Sequence, residues 1–147
     1  MKYSPQSKGF TLLEILLVMG LMLAMFAISV PVMLPAQRRV ELYVNRQITM
    51  NMYRRAQILA QNGVDDSQWG IRLETSRIIL FSGNSYAGRT ASRDEITTYP
   101  ISITATGPSD VVFSKLYGIP STNGTVTLSS TVDQTAIINI NAKGALN

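Results

Sequence analysis

The 147-residue chain contains no cysteine and no histidine. The first absence excludes a disulfide framework and a thiolate metal site. It does not fix the compartment, because an exported protein can manage without disulfides. The second removes the commonest general base and the commonest metal ligand. Charge is scarce as well: 15% of residues are charged against 46% hydrophobic, low for a soluble domain. There is no glycine-rich phosphate loop with a lysine, no tandem repeat and no low-complexity tract. The adjacent acids Asp65-Asp66 and Asp94-Glu95 lie beside turn residues and read as solvated. Neither a catalytic constellation nor a metal or cofactor site is expected, and the chain does not read as an enzyme.

What charge there is falls unevenly. Residues 36–61 carry Arg38, Arg39, Arg46, Arg54 and Arg55 against Glu41, a balance of +4, whereas residues 62–147 come to −1. From Ile15 to Gln37 there is no charged side chain at all. A helix needs about 20 apolar residues to cross a ~30 Å hydrocarbon core, so this run predicts one transmembrane span. Lys2 and Lys8 before it would hold the N-terminus on the cytoplasmic side. The expectation is a single-pass protein of the cytoplasmic (inner) membrane with its C-terminal domain extracytoplasmic. A cleaved signal peptide fits less well. Its apolar stretch is shorter and ends in small residues, whereas this one exits through Pro-Val-Met-Leu-Pro-Ala-Gln.

Glu14 is the residue that an ordinary anchor does not explain. An acid in an apolar span costs roughly 2.5–3.5 kcal/mol at the centre, less near the edge. No basic side chain follows it until Arg38. Its partner must come from elsewhere, or from a new positive charge. Cleavage between Gly9 and Phe10 would create one, an α-amino group with a pKa of about 8.

The segment Gly9-Phe10-Thr11-Leu12-Leu13-Glu14 resembles the leader junction of type IV pilins and type II secretion pseudopilins. The shared features are a short basic leader, Gly before the cut, Phe after it, Glu at the fifth mature position and then the apolar run. The resemblance implies cleavage after Gly9 by a prepilin peptidase and N-methylation of Phe10. It implies that Glu14 is an assembly contact, pairing with the Phe10 amine of an adjacent subunit. Pro31 stands where these proteins often carry a helix-bending proline, and it lacks the N–H that an unbroken helix uses. The implied partners are other pilin or pseudopilin subunits, the prepilin peptidase, an inner-membrane assembly platform and membrane lipid.

Beyond the apolar run, Val40, Val44, Ile48 and Met52 recur every four residues, and Ala56, Leu59 and Ala60 prolong the stripe. The arginines take much of the other surface. They read as a solvated face, with contact to anionic lipid or phosphate as the other reading. Asn62-Gly63 marks the stop. After Gly63 the pattern turns to β, with strands expected at 69–74, 77–81, 101–104, 111–113, 124–128 and 136–141. Residues 82–99 form a long polar loop, and Trp69 reads as core.

The predicted organisation is a basic leader at 1–9, a transmembrane and assembly helix at 10–35, an amphipathic continuation at 36–62 and a β-rich domain at 63–147. The fold class is α+β and pilin-like: a long N-terminal helix, transmembrane then amphipathic, packed on a C-terminal antiparallel sheet. WGIRLE, ILFSGNSYAGR, VVFSKLYGIPSTNGTVTLSS and the final IINI-NAKG look most like the H-type minor pseudopilins. The implied function is a structural, minor subunit of a type IV pilus or type II secretion pseudopilus. The alternatives are a membrane-anchored binding module, such as a DNA-uptake minor pilin, and a plain bitopic membrane protein. Nucleic acid is not an expected partner, because the domain is nearly neutral and such binding needs clustered Lys and Arg.

Overall fold

The computed structural model describes residues 9–131 and 133–147, with positions 28–36 described by backbone alone. Among the described residues there are one α-helix, two short 3-10 turns and seven strands. Helix α1 runs from Leu12 to Gln61. The chain divides into two units, residues 1–37 and residues 38–147.

In the second unit the strands form two antiparallel sheets. The first has the order β3-β2-β1-β5, from β1 (Trp69–Glu74), β2 (Arg77–Ser82), β3 (Glu95–Thr98) and β5 (Asp110–Phe113). The second has the order β4-β6-β7, from β4 (Ile103–Thr106), β6 (Gly124–Ser130) and β7 (Thr135–Ile140). The β1–β2 hairpin sets Ile71 opposite Leu80 and Leu73 opposite Ile78. These four apolar residues share one face, because side chains alternate along a strand. They join Val111 and Phe113 from the first sheet, and Val126, Leu128, Ile138 and Ile140 from the second, in one core.

The C-terminal part of α1 closes that core with Leu42, Met50, Met52, Tyr53, Ala56 and Ala60. The alanines at 56 and 60 are fully buried. The stripe is rotated from the one the sequence predicts. Val40 is 63% exposed and Val44 46%, while Asn45 and Thr49 are buried in their place. Two local bonds make that possible. Asn45 Nδ2 donates to the Glu41 carbonyl at 2.8 Å, and the Thr49 hydroxyl donates to the Asn45 carbonyl at 2.8 Å. Short polar side chains that bond back to their own helix can be buried without leaving a donor unpaired.

The far face of the first sheet is covered too, so β2 is buried from both sides. The covering piece is the 83–94 segment. Tyr86 packs edge-on against Phe81 with ring centroids 5.6 Å apart. Arg89 and Arg72 lie over the same Tyr86 ring at 3.8 and 5.1 Å. Arg89 is fixed in turn by Asp94 at 2.8 Å. Gly70 makes the fit possible: a Cβ there would stand 2.6 Å from the Phe81 ring.

Two expectations are corrected. The single C-terminal sheet is in fact two sheets. The transmembrane helix of the fold class, and with it the single-pass inner-membrane location, is overturned. Among the described residues no helix is long and apolar enough to cross a membrane. Glu14 also places a charge in the first turn of α1, which is costly in an apolar medium.

Candidate functional site

The residues singled out in the sequence meet at the start of α1. Gly9 and Phe10 lie ahead of the first helical residue and are both exposed. Among the described residues nothing stands within 4 Å of the place where a Gly9 Cβ would be. The Gly9–Phe10 bond is therefore in open, non-helical backbone, the form a peptidase needs.

Thr11 begins the helix. Its hydroxyl accepts a hydrogen bond from the Glu14 N–H at 3.3 Å, and its carbonyl accepts from the N–H groups of Glu14 and Ile15. Thr-x-x-Glu is the spacing of a capping box, a signal present in the sequence that the reading above did not use. Only half of the box forms. The Thr11 side chain caps the helix, but the Glu14 carboxylate does not return to the Thr11 N–H. Among the described residues that carboxylate has neither a hydrogen-bond nor an ion-pair partner. Its position near the positive end of the helix is favourable and leaves both oxygens open to an outside donor.

Around Glu14 the helix is apolar on every side. Phe10, Glu14, Ile15, Val18 and Met19 line a shallow groove of about 280 Å³. Leu12, Leu13, Leu16, Leu17, Leu21, Leu23 and Phe26 are between 62% and 79% exposed. At 100° per residue, Leu13, Leu21, Met22 and Leu23 point to four different sides. A helix that is apolar all round requires a surrounding apolar environment. Pro31 falls within α1, but its side chain lies outside the described residues, and the helix-bending expectation attached to it lies there with it.

The other candidates have internal roles. Trp69 is buried and donates its indole N–H to the Val64 carbonyl at 3.0 Å. Asp65 pairs with Arg93 at 2.9 Å, and Asp66 pairs with Lys115. The lysine's hydrogen bond and charge hold the Asp66 carboxyl below its ordinary range. Glu41 accepts from the Ser102 hydroxyl at 2.9 Å and from Arg38 at 3.0 Å, and these bonds, in that order, lower its pKa. Among the described residues no cluster of three or more acids could hold a metal ion.

No family model, no curated protein and no solved structure matches this chain.

Proposed function

We propose that this chain is a structural subunit of a pilus- or pseudopilus-like filament, processed between Gly9 and Phe10 and assembled through the N-terminal part of α1. One observation carries the reading: a carboxylate without a partner among the described residues, Glu14, stands beside Phe10 at the start of α1, where the large side chains described up to Phe26 are exposed and apolar. The partners that follow are further subunits of the filament, the leader peptidase and the assembly platform.

The energetics divide the work between the two kinds of residue. Burying one leucine side chain contributes roughly 1.5–3 kcal/mol. Several leucines on this helix therefore supply ample drive for association, but no register, because they lie on every side. A carboxylate buried without a partner costs several kcal/mol. Glu14 thus penalises every packing that does not bring a positive group to it. The new amine on Phe10 of an adjacent subunit is such a group. Affinity comes from the apolar side chains, and register comes from the acid.

The test is incorporation of Glu14→Ala into filaments beside the unaltered chain. The expected outcome is at least a tenfold loss of incorporation, with the thermal midpoint of the domain unchanged. Incorporation at the unaltered level contradicts the role given to Glu14. A binding module that never polymerises would behave in that second way.

A further inference from the structure

A second surface is marked by an imbalance of charge. Seven of the eight acids in residues 38–147 are ion-paired: Glu41, Asp65, Asp66, Glu74, Asp94, Glu95 and Asp110. Asp133 is the exception. Those pairs engage Arg38, Arg55, Arg72, Arg77, Arg89, Arg93 and Lys115. Arg39, Arg46, Arg54 and Lys143 have no carboxylate partner among the described residues, and three of these four lie on α1.

Two of the three arginines flank a pocket. Arg39, Leu42, Tyr43 and Arg46 from α1, with Gln134 just ahead of β7 and Thr135 and Ala136 at its start, line an open pocket of about 370 Å³. Arg39 and Arg46 are two turns apart, about 10 Å along the helix. Arg46 is held in place, because its Nε donates to the Ile137 carbonyl at 3.1 Å. Leu42 and Ala136 give the pocket apolar walls. Tyr43 is 62% exposed, and Val40 and Val44 on the same stretch of α1 are 63% and 46% exposed. The two valines are the residues that the rotation of the helix stripe turns outward.

We infer that this pocket receives the carboxylate of a glutamate or aspartate from a different protein, whose apolar neighbours cover Val40, Tyr43 and Val44. Charge complementarity selects that occupant. A second copy offers it only Glu14, which the proposed function pairs with the Phe10 amine of a neighbouring subunit. The acids of residues 38–147 are paired internally except Asp133, which precedes Gln134 at the rim of the same pocket. Face-to-face copies would bring arginine against arginine. Nucleic acid fits less well, since a phosphate backbone offers nothing apolar to cover Tyr43 and the valines, and its binding needs more densely clustered cations. An acid framed by apolar residues matches both components, and Arg binds carboxylates in a fixed fork geometry. The choice of a different protein over a second copy rests on the proposed role of Glu14.

The experiment uses the full chain dispersed in an uncharged detergent. The probes are a helical peptide with Leu and Glu on one face, the same peptide with Gln for Glu, and a DNA duplex. Binding is followed by NMR at the Tyr43 amide and the arginine side chains. The expected result is that the Glu peptide binds at least tenfold more tightly than the Gln peptide. Arg39→Gln, which breaks no internal bond, weakens it at least tenfold, and Lys143→Gln leaves it unchanged. Equal affinity for the two peptides, no binding of the Glu peptide, indifference to Arg39→Gln, or a preference for the duplex would each overturn the inference.

Discussion

Tyr53 is fully buried, and its hydroxyl has no partner among the described residues. Tyr99, by contrast, has its hydroxyl against that of Thr49 at 2.8 Å. The two phenols should respond oppositely to change. Leaving a buried hydroxyl unpaired costs about 1–3 kcal/mol. Tyr53→Phe removes such a group and should leave stability unchanged or raise it by about 1 kcal/mol. Thr49→Val strands Tyr99 and should lower stability by about 1–3 kcal/mol; urea midpoints at neutral pH compare them. Burial raises the pKa of Tyr53, with the charge on Tyr99 adding to it, and burial likewise raises Tyr99. In the unfolded chain such phenols ionise near pH 10. The stabilisation from keeping them neutral is therefore complete below about pH 10 and falls as pH rises toward the folded values. Tyr53→Phe should make that alkaline loss shallower; an equal slope in both proteins would contradict it. This residue-level detail was hidden in the sequence. Asn45 and Thr49 read as polar, and the every-fourth apolar pattern assigned the stripe to Val40 and Val44. Their back-bonds to α1 are what let them face inward.

The connection after β5 carries the end of α1. The Leu116 N–H donates to the Ala60 carbonyl at 2.9 Å, satisfying a carbonyl in the last helical turn. Gln57 Nε2 donates to the Gly118 carbonyl at 3.0 Å. Leu116 does this at φ 69, while its side chain is 65% exposed. Gly118 is at φ 64, and a Cβ there would stand 2.7 Å from Gln61. A left-handed conformation costs a non-glycine residue roughly 1–2 kcal/mol. Gly118→Ala should therefore destabilise the domain by at least about 1 kcal/mol, whereas Leu116→Gly should leave it unchanged or slightly more stable. Thermal unfolding of the two variants decides it, and equal losses would remove the argument from conformation. At this scale much was legible. The sequence placed the first hairpin at 69–74 and 77–81 and the last at 124–128 and 136–141, against Trp69–Glu74 with Arg77–Ser82 and Gly124–Ser130 with Thr135–Ile140 in the structure. β3 was missed because Glu95-Ile96-Thr97-Thr98 lies in a polar stretch and pairs only along β2. Ile101 opened an expected strand, but it is fully exposed and β4 begins at Ile103. The split into two sheets was not legible, since nothing in a strand's own pattern says which neighbour it joins.

For the whole molecule, the correction to the N-terminal helix matters most. A long uncharged run read as a membrane span, because its length and composition report apolar character and not what covers it. The start of α1, from Leu12 to Phe26, has apolar side chains on all sides and one acid without a partner among the described residues. That pairing of features was visible in the sequence, as was the Gly9-Phe10 junction. The Arg39–Arg46 pocket was not, because its rim comes from positions 39–46 and 134–136, far apart in the chain. Association through Glu14 and a new Phe10 amine requires that amine to exist. Mass spectrometry of the N-terminal peptide of the protein isolated from its own cells reads this directly. The account predicts a peptide that starts at N-methylated Phe10. A peptide that starts at Met1 or Lys2, with residues 1–9 retained, would contradict it.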